Sequence, residues 1–174
     1  LEDTLHLRDT WPELAWVPRL AVFKPQVRYR LLDSFPGEGF KMYMPDTAAL
    51  RGYQVMGSDA TLSESSARAA TLGFNTLWVH ALDADERGKG LDLDLLEHAR
   101  AQFDGELWLS GGATRERHLA NLAIHKGAAA VVIPTALAKQ YGCERLLSVL
   151  ATPPTTGIPL RFVAKPTSVS KNCG

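Results

Sequence analysis

The chain has 174 residues, of which 45% are hydrophobic and 22% are charged. This composition is typical of a folded domain and unlike that of disordered chains, and the length suffices for one domain with a substantial core. Nineteen basic residues balance nineteen acidic ones, so no net field attracts the chain to nucleic acid or to an anionic membrane.

Cysteine usage and sorting signals bear on the cellular compartment. Cys143 and Cys173 lie far apart and match no metal-binding spacing, and such lone thiols are typical of reducing compartments. The sequence shows neither a signal-peptide pattern nor an apolar run long enough to span a bilayer. We expect a cytoplasmic protein that contacts neither membrane nor nucleic acid and that needs no metal or other cofactor.

The first 40 residues are rich in proline, aromatic residues and arginine. Because prolines interrupt any long helix, we predict an irregular N-terminal segment over residues 1–40. Two stretches in it, 20–23 and 27–32, are strand candidates.

Residues 41–150 alternate between strand and helix patterns at regular spacing. Apolar strands are predicted over 41–44, 75–81, 106–109 and 128–133, and helices over 61–73, 91–103, 114–126 and 140–150. Apolar strands separated by helices of this length are typical of a parallel sheet covered by helices, with right-handed crossovers. The pattern predicts an α/β fold of about four β/α units, half the number in a complete eight-unit barrel. Residues 151–174 are a C-terminal extension.

The most informative segment joins the third strand of this series to the helix that follows it. Ser110, Gly111 and Gly112 come directly after the apolar strand. Glycines allow a backbone to approach a ligand closely, and the free amides at the start of a helix face an anion. The segment predicts a phosphate site, with a plain turn as an alternative of about equal weight.

The end of the fourth strand supports the same site. Barrels often build a phosphate site from two adjacent strand ends, and Thr135 follows this strand. Its hydroxyl can donate a hydrogen bond to phosphate, and helix capping is its alternative role.

Three candidate site residues belong to the end of the second strand. His80 lies near that end, and Asp83 and Asp85 stand in what reads as an acidic loop closed by glycines. Loops of this kind carry the catalytic groups of barrel enzymes, so His80 and Asp83 are catalytic candidates and Asp85 a substrate contact. A structural histidine and a solvated loop with weak surface ion pairs are the competing interpretations.

The first strand of the series is followed by another carboxylate. Asp46 is a general-base candidate because it stands at a strand's C-terminal end, and Arg51 is a candidate substrate contact. A turn shaped by Asp46 next to Pro45 is the alternative.

Residues from about 41 to 150 resemble the C-terminal half of the HisA/HisF family of phosphoribosyl isomerases and cyclases. In the order of the family's fifth to eighth units, the motifs are Met44-Pro45-Asp46-Thr47 with Arg51-Gly52-Tyr53, Val79-His80-Ala81-Leu82-Asp83, Ser110-Gly111-Gly112-Ala113, and Lys126-Gly127-Ala128 with Thr135-Ala136-Leu137. The resemblance implies a TIM-barrel-like fold and a phosphorylated ligand. In the isomerase branch it further implies acid–base work shared by aspartates on strands 1 and 5, and Asp46 would be the strand-5 aspartate.

The chain departs from that family's pattern in three places. No first unit with its aspartate is recognisable in residues 1–40, Ala81 stands where the isomerases usually carry threonine, and Pro134 stands where the eighth strand normally ends in glycine. A shortened, divergent member, or a chain whose other half lies elsewhere, would explain these departures. Four parallel strands leave two unpaired edges. We therefore predict that the N-terminal segment covers one edge or that two chains meet edge to edge as a homodimer, with a partner chain that completes the barrel as a further alternative.

Two functions of different classes fit these features. The first is an isomerase-like enzyme that acts on a phosphorylated sugar or amino-sugar by metal-free proton transfer, with Asp46 as base. The second is a non-catalytic binding or assembly subunit built on a half barrel. A different phosphate-binding barrel enzyme is a third possibility, since a fold does not fix a reaction.

Overall fold

The computed structural model describes residues 1–27, 29–34, 41–45, 52–125 and 127–151. The helices are α1 (Glu2–Thr10), α2 (Leu62–Thr71), α3 (Leu82–Arg87), α4 (Leu93–Arg100), α5 (Glu116–Ile124), α6 (Thr135–Tyr141) and α7 (Cys143–Ala151). The strands are β1 (Arg19–Phe23), β2 (Tyr29–Ser34), β3 (Lys41–Pro45), β4 (Gln54–Val55), β5 (Thr76–Ala81), β6 (Glu106–Ser110) and β7 (Ala130–Val132). Among the described residues, no helix is both long and apolar enough to cross a bilayer.

A mostly parallel five-stranded sheet is the centre of the fold. Its order is β4-β1-β5-β6-β7, and β1, β5, β6 and β7 run parallel while β4 pairs antiparallel with β1 at one edge. Helices alternate with the last three strands. The predicted α/β fold is therefore confirmed, and its four parallel strands are half the number in a complete barrel.

One face of this sheet is sealed by helices and the other is not. Leu77, Val79, Leu107 and Leu109 are fully buried and belong to the same core as apolar side chains of α2 and α4. The alternate residues Trp78, His80 and Trp108 are only half-buried. The apolar strands predicted a sheet covered by helices, whereas burial along β5 alternates with a period of two residues, as expected for a sheet covered on one side.

The first parallel strand is not the predicted one. The strand at 41–44 was expected to open the series, but β3 pairs antiparallel with β2 in a separate two-stranded sheet. Its place beside β5 is taken by β1, where Leu20 pairs with Val79. The segment 1–40, expected to be irregular, contains α1, β1 and β2.

Helix boundaries follow the capping chemistry where it is present. Thr61 Oγ1 accepts from the Glu64 amide at 3.2 Å, and Glu64 Oε2 accepts from the Thr61 amide at 2.7 Å, so the two residues form a capping box at the start of the helix predicted over 61–73. The predicted helix over 140–150 is broken at Gly142, whose φ of 77° ends α6 before α7 begins. Residues 82–87, expected as a loop, form the short helix α3.

Candidate functional site

The predicted site residues that can be described gather at the carboxyl ends of β5, β6 and β7. His80 pairs with Ser110, and Ser110 pairs with Val132, in parallel register. The stretches that follow β6 and β7 are therefore neighbours at one edge of the sheet. Asp46 and Arg51 lie outside the described residues.

Backbone packing explains the two glycines after β6. Gly111 has φ of 101° and Gly112 has φ of 86°, a region that side chains with a Cβ rarely adopt. A Cβ on Gly111 would overlap the carbonyl oxygen of Ala81, and one on Gly112 would overlap that of Gly90. Glycine is required here because the backbone that follows β6 lies directly against the segment that follows β5.

A hydrogen-bond network joins three of the predicted residues beside this turn. The Trp78 indole N–H donates to Ser110 Oγ at 2.7 Å, and His80 Nδ1 lies 2.8 Å from the same oxygen. His80 Nε2 lies 4.0 Å from Asp85 Oδ2, and the Gly112 amide donates to Asp85 Oδ1 at 3.3 Å. Sequence reasoning singled out His80, Ser110 and Asp85 separately, and the fold brings them together.

The environment of His80 favours the neutral imidazole. Burial lowers its pKa below the usual 6.5, the Arg19 guanidinium lowers it further, and Asp85 opposes both. Because an indole N–H can only donate, Ser110 accepts from Trp78 and its own hydroxyl proton is available to His80 Nδ1. In that arrangement the neutral ring carries its proton on Nε2, on the side of Asp85.

Asp83 is engaged elsewhere. Its Oδ2 accepts from the Lys24 amide at 2.6 Å, so this carboxylate ties the first turn of α3 to the end of β1. It is not part of the network around His80, although sequence reasoning grouped the two residues as catalytic partners.

Thr135 stands at the other strand tip. It is the exposed first residue of α6, directly after Pro134, and proline has no N–H to offer a ligand. Behind this tip, Ala113, Leu119 and Leu137 pack in a small buried cluster. The helix predicted over 114–126 begins later, after Arg115, and Thr114 donates its hydroxyl to the Gly88 carbonyl at 2.7 Å.

Sequence reasoning missed a cleft at the same edge of the sheet. It is about 420 Å³ in volume and is lined by Lys24, Tyr53, Ala84, Arg87, Lys89, Gly90, Leu91, Asp92, Leu93 and Asp94. Lys24 directly follows β1, the position where barrels place functional side chains. The sequence does show Lys24 directly after an apolar strand candidate. This pattern predicts a site residue only if β1 is recognised as a strand of the parallel sheet.

Within the described part of the chain, no three His, Cys, Asp or Glu side chains are grouped as metal ligands. Cys143 is an exposed free thiol there.

Comparison with known proteins gives a family. Residues 20–141 match the family described as histidine biosynthesis protein, and the match begins with β1 rather than at residue 41. The imidazole glycerol phosphate synthase subunit HisF of Nocardioides sp. (strain ATCC BAA-499 / JS614) is 34% identical over 110 residues. That alignment covers 63% of this chain and 41% of the relative, so the chain matches less than half of that protein's length. The chain belongs to the histidine biosynthesis protein family, the HisA/HisF family of barrels that its motifs resemble.

Proposed function

We propose that the chain binds a phosphorylated small molecule at the carboxyl ends of β6 and β7. The Gly111 amide and the Thr135 hydroxyl would hold the phosphate together with the Gly112 amide, which would exchange its bond to Asp85 Oδ1 for one to phosphate, and Ser110 would lie at the base of the site. One observation carries the proposal: two positive-φ glycines directly follow β6 beside the tip of β7, at the edge where barrels bind phosphate. The name of the relative refers to imidazole glycerol phosphate, which is a phosphate ester, and this supports the same class of ligand.

The chemistry proposed for this site is metal-free proton transfer at a carbon next to an imine or carbonyl. Asp46 would be the base, and Asp83, whose carboxylate lies at the end of β1, would assist it. Neutral His80 would present its Nε2–H to a carbonyl oxygen of the substrate, and Asp85 and Arg51 would contact the rest of it. A neutral imidazole is suited to this work because its N–H still donates a hydrogen bond to the oxygen on which negative charge develops.

Phosphate binding is tested with ribose 5-phosphate as the probe. The NMR signal of the Trp78 indole N–H is a local reporter because that group is bonded to Ser110. We expect a saturable shift that weakens about tenfold in Thr135→Val, since a hydrogen bond to a charged group is lost. Thr71→Val, an exposed threonine on α2, is the control and should bind like the parent chain. Failure of the sugar phosphate to shift this signal would reject the site.

Catalysis is tested separately from binding. Incubation with ribose 5-phosphate in D₂O should exchange the hydrogen on the carbon next to the carbonyl, and Asp46→Asn should abolish that exchange while phosphate binding persists. Exchange at the same rate in Asp46→Asn would reject its role as the base.

A non-catalytic binding or assembly subunit is the second candidate. Two observations favour it: the chain matches 41% of a relative whose name describes it as a subunit, and Trp78, His80 and Trp108 on the second face of the sheet are only half-buried. In that case a partner chain would complete the barrel, and the parent chain would show no exchange above that of buffer alone.

A further inference from the structure

The cleft at the ends of β1 and β5 collects cationic side chains. Lys24, Arg87 and Lys89 line it together with Tyr53. Two of these cations lie near that ring: Lys24 Nζ is 5.3 Å from the ring centroid, and Arg87 is close enough for its charge to act on the phenol, as does that of Asp94. The cleft is therefore a shared environment for these groups rather than a set of unrelated surface positions.

The cations have no carboxylate of their own among the described residues. Arg87 uses its Nε–H on the Asp83 carbonyl oxygen at 2.9 Å, which fixes the guanidinium and leaves its terminal N–H groups. Lys24 contacts the face of Tyr53, and the exposed Lys89 makes no ion pair within the described ranges. Cations that line one cleft without ion-pair partners favour an anionic ligand. The reason is that guanidinium and ammonium groups both donate charge-assisted hydrogen bonds to an oxyanion.

The carboxylates nearby are largely committed to other donors. Asp83 accepts from the Lys24 amide, and Asp92 accepts from the Tyr53 hydroxyl at 3.0 Å and from the Leu95 amide at 3.1 Å. Burial, together with Asp92, raises the pKa of Tyr53, so its hydroxyl stays protonated and keeps Asp92 engaged. Asp94 remains as the one opposing charge in the described lining that has no such bond.

We propose that this cleft binds a small oxyanion, a carboxylate or a phosphate, through Lys24, Arg87 and Lys89. It uses other side chains than the phosphate site proposed at Gly111 and Gly112 and does not depend on that proposal, although Ala84 and Gly90 in its lining lie against Gly112. The volume of about 420 Å³ falls in the range of small-molecule sites. Its place at the carboxyl ends of the parallel strands is where barrels bind ligands.

The experiment titrates the intact chain with succinate, and separately with inorganic phosphate, at constant ionic strength. The Tyr53 ring signals and the Lys89 amide report on the cleft, and the Gly111 and Thr135 amides report on the other site. We expect saturable shifts at the cleft, weakened at least about fivefold in Lys24→Gln. The tighter of the two anions identifies the ligand class.

Two further variants test whether the shifts depend on a specific charge in the cleft. Lys89→Gln removes the charge of an exposed side chain, so we expect this variant to fold. It therefore tests the cleft even if Lys24→Gln unfolds, and it should also weaken anion binding in the cleft. Lys139→Gln, an exposed lysine on α6, is the matched control and should leave them unchanged, as should glycerol in place of an anion. Non-saturating shifts, or equal affinities in Lys89→Gln and Lys139→Gln, would overturn the cleft. If only the Gly111 and Thr135 amides respond, the cleft is rejected and the proposed function stands. If only the cleft signals respond, the cleft stands and the phosphate site at Gly111 and Gly112 is rejected.

Discussion

Gly112 is the residue on which the geometry of the candidate site depends most. Its φ of 86° and the carbonyl oxygens of Gly90 and Ala84, the latter 2.8 Å from an added Cβ, leave no room for a side chain. We predict that Gly112→Ala lowers the free energy of unfolding by more than about 3 kcal/mol, because backbone strain adds to steric overlap. Urea denaturation measures this.

Gly57 provides the matched control for that substitution. It has φ of 77° with no atom within 4 Å of an added Cβ, so Gly57→Ala suffers the backbone term alone, about 1 kcal/mol. Equal losses in the two variants would show that the contact between the backbones after β5 and β6 is unimportant.

His80 makes a prediction about pH. Its pKa is lowered by burial and by Arg19, so between the usual value of 6.5 and the folded value the unfolded chain binds a proton that the folded chain does not. The free energy of unfolding should therefore fall as the pH drops below about 6.5, and level off once the folded state is protonated as well. Following the imidazole signal of His80 by NMR gives its pKa directly.

Charge variants separate the causes of that shift. Arg19→Gln should raise the pKa of His80 and Asp85→Asn should lower it further, because the two charges act in opposite directions. Arg19→Lys keeps the charge while changing the stacking of Arg19 over the Trp78 ring, 5.0 Å away, and should leave the pKa low. A His80 pKa above 6.5 in the parent chain would contradict this account.

Local sequence identified several of these residues but not their partners. Ser110, His80 and Asp85 were recognisable as strand-end polar residues, yet only the register of β5 with β6 brings the imidazole onto the serine. Asp83 has the same chemistry as Asp85 two positions away, and its partner is the backbone of Lys24. Whether Asp83 or Asp85 faces His80 depends on helix α3. The sequence did not predict this helix, because the charged stretch that ends in glycines is typical of a loop.

At the scale of the elements, the strand pattern was correct while the pairing was not. The stretches at 20–23 and 41–44 both read as short apolar strands, and nothing in their composition distinguishes a central parallel strand from an arm of a hairpin. The structure places β1 next to β5 and pairs β3 with β2. Pairing partners are set by long-range packing, so the number of parallel strands could be predicted and the identity of the first one could not.

Helix α2 shows the opposite case, because its start is determined locally. The Thr61–Glu64 capping box satisfies amides that the helix itself leaves unpaired. We predict that Thr61→Ala lowers the free energy of unfolding by about 1 kcal/mol, measured by urea denaturation. Thr71→Ala at the other end of α2, where the hydroxyl bonds only to the Ala67 carbonyl, should be neutral or slightly stabilising. Equal effects at the two ends would show that capping is not what stabilises the helix.

At the scale of the molecule, the unequal faces of the sheet are the dominant feature. The face that carries Leu77 and Leu109 is closed by helices, while the face that carries Trp78, Trp108 and Val132 is half-open. In a complete barrel this second face is the filled interior. With four parallel strands its residues remain half-buried, and the edge of β7 has no further partner among the described strands.

Association through that face follows as a prediction about the whole chain. A second copy, or a partner that completes the barrel, would bury Trp108 and Val132, so light scattering of the purified chain should give at least twice the monomer mass. Val132→Lys places a charge on the half-open face and should return the chain to a monomer with its circular dichroism spectrum retained, because a buried unpaired charge opposes association. Leu147→Lys is the control, since Leu147 is 64% exposed on α7, and it should leave the mass unchanged. A parent chain that stays monomeric at every concentration would mean that the open face is tolerated in water, and the barrel-completing partner would then have to be a different protein.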